Sequence, residues 1–367
     1  MRCASEARDC AVLVAVRRKE RNDAGADAAA LECNRICETG YLDCRRKRGK
    51  ARLLRNVLFV AMLAILVATS TPARCAAGEY RRDGALIGAR QAHAVGVDDS
   101  LFEVAREFDL GYTAITAANP GVDPFVPDPG TRIVIPTEWI LPDVPIRRGI
   151  VINLAEMRLF LIPPRDWGTI SSFPIGIGDQ GTETPVGKFS VVDKIKNPPW
   201  HVPESIRKER PDLPAVVPPG PDNPMGSLAL RLSNGTVLIH GTNRPWGIGI
   251  RNTHGCIRLY EEDIARLFKM VVNGTPVVVV NQPVKVAAEG DRVFLEIHDY
   301  GDGRDLYREA RKLLNAKGLS DRIDPDRVRS ASRERSGLVV DVSKHQPVRE
   351  TVPSGRGTST ASSPEPR

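Results

Sequence analysis

The chain is short of several things that would otherwise define it. Of its seven cysteines, six lie at or before residue 75, so the segment from residue 78 onward has one thiol, Cys256, and no disulfide partner for it. Disulfide exchange needs a pair, which removes redox chemistry from that segment. No apolar run reaches the ~20 residues that cross a bilayer as a helix; the run Val57 to Ala68 has twelve. Net charge is missing where a nucleic-acid partner would need it. The formal charge of +7 resides in residues 1–77, with 15 Lys and Arg against 8 Asp and Glu, and residues 78–367 carry 37 of each sign. A neutral region offers no basic footprint to a phosphate backbone, so no nucleic-acid partner is expected.

What is present first is an export pattern. Arg45-Arg46-Lys47-Arg48, with Lys50, Arg52 and Arg55, precedes the apolar run, and small residues follow it. This is the layout of a signal peptide, with Cys75-Ala76-Ala77 or Ala73-Arg74-Cys75 as the cleavage pattern; an uncleaved anchor is the alternative. Residues 1–77 are therefore expected to be leader and signal peptide, and the mature protein to be periplasmic. Residues 1–44 fit no export signal, and Met1 is the sole methionine before Met62, so they are expected to be an extension upstream of the true start.

At roughly 150 residues per domain, 367 residues allow two domains and extensions. Over 90–137, Leu101, Val104, Ala105 and Phe108 form the i, i+3, i+4, i+7 stripe of a helix, with Asp99 or Ser100 as N-cap. A second short helix carries Ile115 and Ala118, ends at Asn119-Pro120-Gly121, and leads to a strand Thr131–Ile135. This small βααβ unit resembles the LysM module, which binds glycan; a purely structural module is the alternative.

Over 148–281 the pattern turns mainly β. Strands are expected at Ile150–Leu154, Arg158–Ile162, Phe173–Ile177, Val186–Asp193, Thr236–His240 and Pro276–Val280, with one clear helix at Glu261–Val271. The proline-rich stretch Asn197–Gly226 reads as a semi-rigid flap beside a site, with Trp200 as its apolar contact. Residues 282–344 form a C-terminal extension with a strand at Val293–Ile297 and a helix at Asp305–Ala316, and 345–367 read as a disordered tail.

Chemistry concentrates between residues 239 and 259. Cys256 lies in a stretch that also holds His240 and His254. A thiol must lose its proton to attack, which a nearby imidazole or helix N-terminus assists, and Cys256 lies just ahead of the Glu261 helix. Gly255 removes an obstructing Cβ, and the N–H groups of Gly255 and Cys256 suit an oxyanion. Zinc is disfavoured because His240, His254 and Cys256 match no usual ligand spacing, so no metal and no cofactor are expected.

His240-Gly241-Thr242-Asn243, Ile248-Gly249 and Thr253-His254-Gly255-Cys256-Ile257-Arg258-Leu259 resemble the signature of the L,D-transpeptidase (YkuD-type) catalytic domain. Pro221-Asp222-Asn223-Pro224-Met225-Gly226 and the rest of the insertion resemble its periplasmic Gram-negative subgroup. The resemblance implies a sheet-rich catalytic domain with one helix after the cysteine. It also implies that Cys256 attacks the third residue of a peptidoglycan tetrapeptide stem and releases D-alanine. The resulting thioester passes to an amine, giving a 3→3 cross-link or attachment of an outer-membrane lipoprotein. It assigns His240 as proton acceptor and donor, the Gly241 carbonyl as its orienting group, and His254 a supporting role. Arg258 is expected to bind substrate carboxylates, or else to pair with Glu261 or Glu262; Trp246 and Arg251 are expected to line the pocket. Stem peptides and glycan are the implied partners of a monomer. A hydrolase using the same cysteine and a non-catalytic wall-binding protein are the alternatives.

Overall fold

The computed structural model describes residues 78–81, 84–146, 148–163 and 169–344. The leader and the tail expected from sequence lie outside the described residues.

Near the N-terminus of this region, α1 (Leu101–Glu107) starts from a complete capping box. The Ser100 hydroxyl accepts from the Glu103 N–H and the Glu103 carboxylate accepts from the Ser100 N–H. α2 (Tyr112–Ala118) follows, and the strands Gln91–Ala94 and Arg132–Ile135 pair antiparallel around the two helices. The order is β, α, α, β.

The main sheet has nine strands. Across it run Glu79–Arg81, Thr169–Pro174, Arg158–Ile162, Gly149–Asn153, Pro276–Val280, Gly187–Lys196, Leu228–Leu232, Leu238–His240 and Ile257–Arg258. Two neighbouring pairs are parallel: Pro276–Val280 with Gly149–Asn153, and Leu238–His240 with Ile257–Arg258. At Gly149–Asn153 and Arg158–Ile162 the sheet is buried on both faces, and the period of two shows how. Ile150 and Ile152 enter a core shared with Ile239, Ile257, Ile264 and Leu267, whereas Val151 and Phe160 face a second core with Leu101, Val104, Ile115 and Trp139. The N-terminal unit is thus packed onto the back of the catalytic sheet. Arg158 lies between them, its guanidinium 4.3 Å from the Trp139 ring and donating to the Asp109 carbonyl and the Ser172 hydroxyl at 2.8 Å each.

The structure revises several boundaries. The expected strand Phe173–Ile177 is Thr169–Pro174 followed by a separate bridge strand Ile177–Gly178, because Pro174 has no N–H to continue the ladder. The strand expected from Thr236 begins at Leu238, after a turn in which the Asn234 carboxamide accepts from the Val237 N–H. Leu228–Leu232, between Gly187–Lys196 and Leu238–His240, was not among the expected strands, although Leu228, Leu230 and Leu232 alternate toward the core. The flap is folded: Trp200–His201 pairs with Val216–Val217, α3 (Glu204–Glu209) lies between them, and the Trp200 side chain is half-buried. α4 (Glu261–Met270) is the expected helix, one residue shorter. In the extension, Val284–Glu289, Arg292–Ile297 and Val340–Asp341 make a three-stranded sheet. It packs with α5 (Leu306–Ala316) and α6 (Pro325–Glu334) around its own core, so the single expected strand and helix are part of a larger unit.

Candidate active site

The short parallel ladder pairs Ile239 with Ile257 and His240 with Arg258. Ile239 and Ile257 are wholly buried in the core, so alternation turns His240 and Arg258 to the opposite face. Cys256 directly precedes Ile257 and shares that face. Its partly exposed thiol lies 4.0 Å from the Thr236 carbonyl and is hydrogen-bonded by the Leu238 N–H, on the strand that ends in His240. The turn before it is tied down locally: the Thr253 hydroxyl donates to the Cys256 carbonyl at 2.6 Å, and the Thr182 hydroxyl donates to the Thr253 carbonyl at 2.9 Å. Gly255 takes φ = 94°, the left-handed conformation that L side chains rarely adopt.

His240 is almost completely buried, and its Nδ1 lies 2.6 Å from the Gly241 carbonyl. A carbonyl only accepts, so Nδ1 carries the hydrogen and Nε2 is left with its lone pair. Burial, reinforced by the Arg258 cation, draws the imidazole down to about 4, although the Gly241 and Met225 carbonyls favour the charged ring. It is neutral at physiological pH.

The thiol departs from the sequence expectation. Burial pushes it up, and the Leu238 N–H and Arg258 only oppose that rise. The helix N-terminus does not help as expected, because α4 starts after the strand Ile257–Arg258 and Tyr260, and a helix dipole is felt mainly within its first turn.

Arg258 forms neither of the expected ion pairs. Glu262 is taken by Arg106 at 2.7 Å, and Glu261 accepts from the N–H and hydroxyl of Ser227. The Arg258 guanidinium has one neutral contact, Nη1 to the Asn252 side-chain oxygen at 3.3 Å, and its Nε is buried without a partner. Burial and the neighbouring Arg244 both lower its basicity. No carboxylate among the described residues pairs with it.

The other expected residues are more dispersed. His254 is exposed on the turn beside Gly255. Trp246 sits on a 3-10 turn, Pro245–Gly247, and is 60% exposed. Arg251 is held elsewhere: it donates to the Tyr300 and Gly178 carbonyls at 3.2 and 3.4 Å, stacks 4.5 Å from the Tyr300 ring, and lies 3.8 Å from Glu183. Sequence reasoning missed Asn223. It is fully buried, donates to the carbonyls of Pro198, Val217 and Pro218, and accepts from the Met225 N–H, thereby seating the flap base beside His240. Its only signal was its place in the Pro221–Gly226 motif.

One group among the described residues has metal-ligand chemistry: Glu156, Glu296 and His298, with ligand atoms within 4.8 Å of one another. The Lys285 ammonium already bridges both carboxylates at 2.7 and 2.8 Å, so a side-chain cation occupies the place between them.

Residues 147–279 match the L,D-transpeptidase catalytic domain. The chain is 39% identical over 320 residues to the probable L,D-transpeptidase YcfS of Escherichia coli K12, an alignment spanning 83% of this chain and 99% of that protein. It is 38% identical over 308 residues to the probable L,D-transpeptidase ErfK/SrfK of the same strain, spanning 79% and 98% of the two chains. It is also 37% identical over 302 residues to the probable L,D-transpeptidase YbiS, spanning 78% and 97%. The chain belongs to the L,D-transpeptidase family, as its motif implied, and is a transpeptidase.

Proposed function

We propose that this enzyme acylates Cys256 with a peptidoglycan tetrapeptide stem, releases the terminal D-alanine, and passes the acyl group to an amine. The observation that carries this reading is the strand face shared by His240 and Arg258 next to Cys256, with a neutral His240 whose Nδ1 is engaged by the Gly241 carbonyl and an Arg258 cation that has no carboxylate partner among the described residues. Because the thiol is held protonated, a base must take its proton as the bond to carbon forms. His240 Nε2 is that base, with the Gly241 carbonyl fixing its tautomer. The thiolate attacks the carbonyl of the third stem residue, and the N–H groups of Gly255 and Cys256 hold the oxyanion. The imidazolium then protonates the leaving amine of D-alanine, and a thioester remains. An acceptor amine attacks the thioester, gives its proton to His240, and the thiol is restored.

Arg258 binds a free carboxylate of the stem through its guanidinium fork, replacing the counter-charge the fold does not supply. Trp246 offers an exposed apolar face on the loop between the histidines, and His254 flanks the oxyanion turn. Arg251 orients the wall of the site from its contacts with Gly178 and Tyr300. The acceptor is a stem amine, giving a 3→3 cross-link, or a lysine of an outer-membrane lipoprotein. The protein works as a periplasmic monomer; no helix of the described residues is long and apolar enough to cross a membrane.

The N-terminal module is the glycan-binding unit of this proposal. Val97, Phe125 and Val126 stand 83%, 71% and 79% exposed, on two loops joined by the Leu101 N–H and Pro124 carbonyl at 2.9 Å. Incubation of the protein and Cys256→Ala with purified tetrapeptide muropeptides, followed by mass spectrometry, tests the reading. A dimer that has lost one D-alanine, absent with the variant, is expected; a shortened monomer alone indicates hydrolysis, and binding without turnover indicates a wall-binding protein.

A further inference from the structure

The N-terminal module meets the catalytic loop main chain to main chain. α2 begins without a side-chain cap, since its N-cap is Gly111. A helix leaves its first N–H groups without internal partners. Here the Tyr112 N–H donates to the Ile248 carbonyl at 3.1 Å and the Thr113 N–H to the Gly249 carbonyl at 3.3 Å, and the Thr113 hydroxyl donates to the same Gly249 oxygen. The close approach explains two glycines. A Cβ on Gly111 would lie 2.6 Å from the Gly249 Cα, and one on Gly249 would lie 2.3 Å from the Tyr112 nitrogen, at a φ of 85°.

The loop so held is the one between the two motif histidines, and it rests on Arg258. From the sheet side the Gly249 N–H donates to the Ile175 carbonyl at 3.0 Å. The Gly247 carbonyl lies 2.4 Å from where a Gly176 Cβ would be, and Gly176 exchanges both main-chain hydrogen bonds with Arg258 at 2.9 Å. The Cβ position of Gly247 is 3.5 Å from Arg258 Nη1 and 2.9 Å from the Asn252 side-chain nitrogen, the residue that holds that Nη1. Movement of Ile248 and Gly249 therefore moves the surface against which the guanidinium is packed.

We infer that the N-terminal module is a positioning element for carboxylate recognition. By capping α2 on the Ile248 and Gly249 carbonyls it holds the Pro245–Gly249 turn against Arg258, and so sets the guanidinium for the donor stem. This rests on the proposed role of Arg258. Thr113 and Gly111 are positioning residues; neither touches substrate.

The test uses the full chain as Thr113→Val, Gly111→Ala, Arg258→Gln and the double variant Thr113→Val/Arg258→Gln. Each is assayed on a tetrapeptide stem with free carboxylates and on the same stem with its side-chain carboxylate amidated. Thr113→Val keeps the shape and removes one loop contact, which guards against failure to fold; Gly111→Ala adds the clash. The expected result is a several-fold rise in KM for the free stem in Thr113→Val with kcat within about twofold, and a larger rise in Gly111→Ala. Preference for the free stem falls toward that of Arg258→Gln, and Thr113→Val adds nothing in the Arg258→Gln background. Equal loss on both stems, or no change in either module variant while Arg258→Gln loses its preference, overturns the positioning role. If Arg258→Gln keeps its preference for the free stem, the carboxylate role of Arg258 itself is wrong and both readings fall.

Discussion

Two cations among the described residues, the buried Lys285 and the half-buried Arg258, are treated in opposite ways. Lys285 is fully answered: its ammonium touches Glu156 at 2.7 Å and Glu296 at 2.8 Å. Those carboxylates are answered in turn, by the Asn153 side chain at 2.7 Å, by the Ile140 N–H at 2.6 Å and by His298 at 2.7 Å. Burial alone would raise the Glu296 carboxyl, yet Lys285 and His298 together carry it below its ordinary range. Arg258 has one neutral contact and a buried Nε with no partner. A desolvated charge without a counter-charge is costly to keep unless another molecule completes it, whereas the Lys285 cluster is complete already. The difference separates a fastener from a receptor: Lys285 joins the catalytic domain, through Glu156, to the extension, through Glu296, and Arg258 waits beside the nucleophile.

The comparison breaks most visibly at Lys285. Lys285→Ala leaves two buried carboxylates without their cation and is expected to cost about 3–5 kcal/mol of stability, read as a lower urea midpoint, while KM of the folded fraction is retained. Arg258→Gln is expected to do the reverse. The midpoint holds or rises, because a half-buried charge without a carboxylate partner among the described residues is removed, and KM for the free stem rises roughly ten- to a hundredfold through loss of ~1.5–3 kcal/mol of charged hydrogen bonding.

The imidazoles sharpen the contrast. His298 faces a carboxylate, and His240 has carbonyls for its hydrogen-bond partners. With His240 drawn from an ordinary 6.5 to about 4, acylation should persist through mildly acidic pH and fall only as pH drops through about 4. The sign for stability follows: below 6.5 the unfolded chain binds a proton that the folded one refuses, so this contribution is full above 6.5 and is lost as pH falls through 4. Activity and urea midpoints measured from pH 3.5 to 7 check both.

The smallest effect is expected at Asp263, an intermediate case. Its Oδ1 lies 3.4 Å from Arg266 and its Oδ2 is buried without a partner. Burial, with Asp109 adding to it, raises the carboxyl to about 8. The folded state holds the proton longer than the unfolded one, so this stabilisation is present at low pH and is lost as pH rises through 8. Asp263→Asn should flatten the slope of midpoint against pH between about 4 and 8.

Cys256, His240 and Arg258 were legible as a group because one short motif contains them, α1 because its apolar periodicity and capping box are local, and α4 because its apolar periodicity is. What Arg258 pairs with was not legible, since it depends on Arg106 taking Glu262 from 156 residues away and on Ser227 taking Glu261. Nor was the Lys285 cluster, whose members come together only when the catalytic domain and the extension pack. The rise of the thiol was hidden for the same reason: burial is a property of the fold, whereas sequence offered only its neighbours in the chain.

The most direct test of the account is the intact mass of the protein after brief exposure to a tetrapeptide stem, followed by peptide mapping. Acylation at Cys256 leaves an added stem lacking its terminal D-alanine, carried on the peptide containing Cys256 and absent from Cys256→Ala. Turnover with no adduct on that peptide, or an adduct that persists in the variant, would contradict it.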